Sequence, residues 1–162
     1  MTAMPPAETL EASARRIGHH VWIEQSLFEE LGGWVTSTPE PAAKALLAEH
    51  SLHHAWHAQL WDGLLPAVPH LPAADLVVSP TGDAAFPAAP AGGATAERLG
   101  WLCGEALPTL LDRYADHLAR TTPLTDGPTI RVLGLVTTDV RADLAAARAA
   151  LSAVGGPVTP DL

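Results

Sequence analysis

The sequence is short of several things, and each shortage excludes something. It has a single cysteine, Cys103, among 162 residues, so no disulfide can form within the chain. A reducing compartment is the matching expectation. Aromatic residues make up only 5%, and Tyr114 is the one tyrosine. Runs of β-branched residues are scarce, so a sheet-based fold has little to build on. Basic residues are few: 9 Lys and Arg stand against 18 Asp and Glu, a formal charge of -9. Such a chain repels both a phosphate backbone and an anionic membrane surface, so neither nucleic acid nor membrane is an expected partner. No stretch approaches the roughly 20 apolar residues that span a bilayer. The opening MTAMPPAETLEASARR has no apolar signal core. The expectation is a cytoplasmic protein.

What the chain does have is alanine, leucine and 48% hydrophobic residues, enough for one sizeable helical domain over residues 1–162. Helical periodicity predicts four long segments at about residues 7–35, 41–65, 95–120 and 128–154. Pro39 and Pro41 separate the first two. Within the third, Gly104 and Pro108 are four apart. The proline ring presses on that glycine's carbonyl, so a kink is expected. Asp126 or a neighbour is the expected cap of the fourth helix, and the GGPVTPDL tail is expected to be loose. Short links make the first pair and the last pair antiparallel hairpins. Residues 66–94, rich in Pro and Gly, form a crossover long enough to run back along a helix. The second and third helices are then parallel.

Half of the eight histidines lie in EHSLHHAWHAQLW, residues 49–61. On a helical wheel of about 100° per residue, His50, His53, His54 and His57 share an arc with Leu46, Leu47, Leu60, Trp61 and Leu64. Lys44, Ser51, Gln59 and Asp62 fall opposite. On the first helix, Glu24 sits mid-stripe among apolar residues, with His20 on the flank. A carboxylate at a core position is costly unless it is paired, protonated or bound to a cation. His117 falls on the inner face of the third helix. On the fourth, Ile130, Leu133, Val140 and Leu144 point inward, Asp139 points away and Asp143 flanks. Six histidines and one carboxylate thus converge on the interior, leaving out His19 and His70. Imidazoles with one carboxylate suit iron above all, and also copper, zinc or manganese. The expected ligands are Glu24, His50, His53 and His57. His20, His54 and His117 are expected beside Glu24 as further catalytic groups that carry protons.

The buried polar pattern, together with SLHHAWHAQLWDGLLP and RYADHLARTTPLTDGPTIRVLGLV, resembles the ferritin-like superfamily. Within it the chain is more similar to small oxygenase-related bundles, such as the phenylacetyl-CoA epoxidase subunits, than to iron-storage ferritins. The resemblance implies an all-α, ferritin-like four-helix bundle of two antiparallel hairpins joined by a long crossover. It implies a Glu from each of two helices and Glu-x-x-His from each of the others. Glu24 matches the first helix's ligand. The second helix departs, with His50-Ser51-Leu52-His53 where Glu-x-x-His belongs. Glu105 is the third helix's candidate, and TTDVRADLAAA on the fourth holds no histidine. A standard carboxylate-bridged di-iron centre is therefore not expected.

Two function classes follow. One is a metal-dependent oxidase or oxygenase that acts on a small organic molecule through a non-standard, His-rich site. Its metal-free variant uses Glu24 and a histidine as base and acid. The other is a degenerate bundle without metal, which binds a small molecule or serves as a partner subunit. The bland account of the cluster is a satisfied buried network that fixes helix register. Trp22, Leu52 and Trp56 fall away from the inner faces and are candidates for a homodimer surface.

Overall fold

The computed structural model describes residues 8–155, and within them every regular element is helical. The all-α class expected from composition is observed. Helix α1 spans Leu10–Val35 and α2 spans Pro41–Asp62. The connection that follows carries a one-turn helix, α3 (Ala73–Leu76), and a 3-10 turn at Gly82–Ala84. The third rod is composite. It consists of α4 (Thr95–Trp101), a π-helical turn (Leu102–Ala106) and α5 (Leu107–Arg120). Helix α6 spans Gly127–Ala153. Ala7, the expected start of the first helix, and nearly all of the GGPVTPDL tail lie outside the described residues.

Local chemistry explains the boundaries. The Thr9 hydroxyl accepts the Ala12 amide at 3.2 Å and caps α1. Pro41 opens α2, where its missing N–H costs nothing. Asp126 precedes α6 without capping it through its side chain. Its carboxylate accepts instead from the Thr122 amide at 2.7 Å and the Thr125 hydroxyl at 2.9 Å, closing the preceding turn. The kink expected at Gly104 and Pro108 takes the form of the π turn. The Leu107 amide reaches back five residues to the Leu102 carbonyl, which makes room for the proline ring. The extra residue turns Glu105 to solvent.

Cross-helix partners fix the directions of the rods. Glu24 meets His54 and Phe28 meets Ser51, so α1 and α2 are antiparallel. His53 meets Asp143 and His57 meets Asp139, so α2 and α6 are antiparallel. Arg16 meets Asp116 and Glu24 meets Tyr114, so α1 and α5 are antiparallel. The second and third rods therefore run parallel, which requires the long crossover between them. The crossover is pinned where it passes. A Cβ at Gly18 would lie 2.2 Å from the Leu76 carbonyl oxygen, so only glycine lets α3 seat on α1. Further on, Arg113 donates to the Ala84 carbonyl, and the Thr95 hydroxyl to Glu40 at 2.5 Å.

Leu27, Leu31, Leu47, Leu99, Leu107 and Leu133 are buried in one continuous core. Each such side chain contributes roughly 1.5–3 kcal/mol when withdrawn from water. Two wheel assignments are corrected. Ser51, expected on the outer side of α2, is buried and donates to the Phe28 carbonyl at 2.9 Å. The α1–α2 contact is so close that it covers a polar flank as well as the apolar stripe. On α6 the inner face includes Val132, Leu133, Val136, Val140, Asp143 and Ala147, with Leu133 and Val140 inward as expected. Ile130 and Leu144, also expected inward, are only half-buried. The true face is rotated from them by about one residue, which brings Asp143 inside.

Candidate metal centre

At mid-height, α1 and α2 bring Glu24, His54 and His57 together. All three are fully buried. Each offers one ligand atom, and these atoms all lie within 4.8 Å of one another; no other group of three His, Cys, Asp or Glu does so among the described residues. The i,i+3 spacing of His54 and His57 puts both rings on the side of α2 that faces Glu24. His54 Nδ1 lies 2.5 Å from Glu24 Oε2, a short charge-assisted hydrogen bond. His57 Nδ1 lies 3.5 Å from Glu24 Oε1 and makes no hydrogen bond there. Its other nitrogen, Nε2, is 3.2 Å from Asp139 Oδ2 on α6. From α5, the Tyr114 hydroxyl donates to Glu24 Oε1 and accepts the Trp61 indole N–H at 3.3 Å.

The electrostatics follow from this geometry. Burial drives the Glu24 pKa up, but the charge and hydrogen bond of His54, then the nearby His57, prevail and hold it at about 2. Burial pulls His57 down, yet the attraction of Glu24 and then Asp139 raises it above the ordinary imidazole value. Tyr114 is pushed well above its ordinary value by burial and by the Glu24 charge, so it stays a proton donor. Glu24 is thus an anion in a dry interior, with donors on both oxygens.

The residues fit a metal ion. Among the described residues His57 Nδ1 and His54 Nε2 are buried without a hydrogen-bond partner, which is costly for a polar atom unless something else occupies its lone pair. Asp139 holds His57 by Nε2, the carboxylate–histidine arrangement that orients a ligating imidazole and leaves Nδ1 for the ion. Two imidazoles and one carboxylate form a donor set that could hold a metal ion.

The other expected residues separate into two further groups. His50 Nε2 and His53 Nδ1 lie 3.4 Å and 3.0 Å from Asp143 Oδ1. They sit one turn away from His54 and His57, about 6 Å along the axis, which is why they pair across to α6 rather than join Glu24. His50 is buried, while His53 is 38% exposed. His20 Nε2 lies 3.1 Å from His117 Nδ1, both buried. The His20 ring packs against Trp61 and Tyr114, with centroids 4.7 Å and 5.1 Å apart. Burial lowers both imidazoles, His20 well below the ordinary value and His117 to about 4. Of the four expected ligands, the structure therefore brings Glu24 and His57 together, and it sets His54 beside them. Asp139, expected to point away, reaches the centre from the flank of α6. Tyr114 stood out in the sequence only as the one tyrosine, although a buried tyrosine needs a partner for its hydroxyl. Trp22 is half-buried against the core, whereas Leu52 and Trp56 are exposed.

Comparison of the chain with family models, with curated proteins and with solved structures finds no match to any of them.

Proposed function

We propose that this chain is a ferritin-like four-helix bundle that carries one metal ion, iron foremost, on Glu24, His54 and His57, and that it oxidises or oxygenates a small organic molecule. The observation that carries the reading is the buried carboxylate with two imidazoles, whose ligand atoms lie within 4.8 Å of one another. The rod directions support the bundle, since two antiparallel hairpins joined by a long crossover is one of its known connections. When bound, the ion supplies oxygen activation or Lewis-acid polarisation of the substrate. The chain's own groups do the rest. Tyr114 fixes the Glu24 carboxylate by donating to Oε1. Asp139 fixes the His57 ring through Nε2. The packed rings of His20, Trp61 and His117 keep water from the Tyr114 side.

A second reading rests on the 2.5 Å separation of His54 Nδ1 and Glu24 Oε2, which is closer than two ligands of one ion stand. In that reading the pair works without metal, Glu24 as base and the imidazole as acid. Metal analysis of purified protein separates the two. The metal reading expects about one equivalent of ion per chain, lost in Glu24→Ala and His57→Ala and kept in His53→Ala. Wild-type protein that takes up neither Fe(II), Co(II) nor Zn(II) ends the metal reading.

A further inference from the structure

A cleft of about 550 Å³ opens between α1, α5 and the 3-10 turn of the crossover. His20 and Arg113 line it, beside the carbon walls of Ala12, Ala84 and Ala85. Two buried polar atoms on this lining have no hydrogen-bond partner among the described residues: His20 Nδ1 and Arg113 Nε. Among the described residues the remaining lining arginines are engaged. Arg15 pairs with Glu11 at 2.8 Å, and Arg16 with Glu8 at 2.6 Å and Asp116 at 3.0 Å. Among the described residues Arg113 donates to a carbonyl, that of Ala84, and pairs with no carboxylate. Arg113 is half-buried, with its Nε covered, and a covered guanidinium N–H or imidazole nitrogen with nothing to bond is costly.

We propose that this cleft binds a small organic carboxylate, held by the Arg113 guanidinium and by His20. This goes beyond the metal reading and does not depend on it. The guanidinium edge is a fork that matches a carboxylate in shape and charge. The second contact sets a tautomer. His20 Nε2 and His117 Nδ1 share one hydrogen across 3.1 Å. If His117 donates it, the neutral His20 ring carries its own proton on Nδ1 and offers it to the cleft. A carboxylate selects this arrangement because it can only accept. Its oxygen then lies one ring away from Tyr114, which donates to Glu24. The exposed Asp83 and Asp112 sit at the rim, where they repel a second negative charge and favour monoanions.

The test is a titration of histidine-labelled protein with benzoate, benzamide and benzylammonium, followed by long-range proton–nitrogen spectra of the imidazoles. Benzoate is expected to bind saturably and to move His20 to the Nδ1–H pattern, with the same result whether or not Zn(II) is present. The two isosteres are expected to bind at least about ten-fold more weakly. Arg113→Gln is expected to weaken benzoate by a similar factor, and Arg113→Lys by less. The isostere comparison on wild-type protein stands even if an Arg113 variant fails to fold. Equal binding of benzamide or benzylammonium overturns the proposal, as does a His20 signal that ignores benzoate. Benzoate held only when Zn(II) is present puts it on the metal and overturns the proposal as well. Failure of the chain to take up metal leaves the expected benzoate result unchanged, so the two readings fail separately.

Discussion

His57 stands between two carboxylates: Nε2 is 3.2 Å from Asp139 Oδ2, and Nδ1 is 3.5 Å from Glu24 Oε1. One acid belongs to the buried trio, and the other, 37% exposed, reaches in from α6. Only the first can hold an ion with His54. The second holds the ring.

That division of labour is testable with Asp139→Asn. The amide keeps the size of the side chain but its oxygen is a weaker acceptor. The fold is expected to persist, because Asp139 lies at the edge of the core. Metal affinity is expected to fall by about 10- to 100-fold, the usual effect of removing a carboxylate behind a ligating imidazole. Competition with a chelator of known strength measures it. Unchanged affinity removes Asp139 from the account.

Tyr114→Phe tests the other side of the centre. The substitution leaves Glu24 Oε1 without its donor and the Trp61 indole N–H without its acceptor. Both groups are fully buried. The loss is expected to be about 1–3 kcal/mol, the range for a buried polar group left unsatisfied. Urea unfolding of metal-free protein gives the number. A stability equal to wild type indicates that water enters and replaces the hydroxyl.

The helices and their contents were legible because helical period and breakers are local signals. Glu24 stood out for the same reason: one acid in a stripe of Ile17, Val21, Leu27 and Leu31 is a conflict within a single segment. The grouping of the histidines was not legible. A wheel gives the angle of His50 and His54 but not their height relative to Glu24, which depends on how far α2 slides along α1. That offset is fixed by side chains such as Ser51 against the Phe28 carbonyl, a contact between residues 23 apart. Asp139 and Asp143 were misplaced because two bulky apolar residues of α6, Ile130 and Leu144, lie at the edge of its inner face and not at its centre. The π turn was visible as a proline problem, yet its solution, an inserted residue rather than a bend, depended on packing.

Gly18→Ala probes the seat of the crossover. In an unconstrained helix alanine would stabilise by about 1 kcal/mol over glycine. Here the new methyl would meet the Leu76 carbonyl oxygen at 2.2 Å and its carbon at 2.5 Å, both backbone atoms. Backbone has to move, and overpacking of this kind costs about 1–3 kcal/mol. The clash is expected to win, with a lower melting temperature and faster proteolysis within residues 66–94. A melting temperature at or above wild type would mean that α3 does not rest on α1.

Acid should weaken the fold in a defined window through His117. Its imidazole is buried against His20, and burial, followed by the charge of Arg16, brings its pKa to about 4. In the unfolded chain the value returns to about 6.5. The unfolded state therefore takes up the proton first, and stability falls as pH drops from about 6.5 towards 4. The neutral ring's contribution is present in full above that window and lost through it, and it amounts to about 3 kcal/mol for a shift of this size. His20, also lowered by burial, adds to the loss in the same direction. Glu24, held at about 2, acts in the same direction but only from about pH 5 downward, where the unfolded carboxylate begins to take up its proton, so the stretch from about 6.5 to 5 belongs to the imidazoles. Urea unfolding free energies measured at intervals from pH 7.5 to 4 in metal-free protein are expected to decline only below about pH 6.5, because above it the raised His57 takes up its proton first in the folded state and acts in the opposite direction. The same series on His117→Gln is expected to decline less. Parallel slopes for the two proteins would show that His117 takes up its proton with equal ease folded and unfolded, and the buried imidazole pair would then have no part in acid stability.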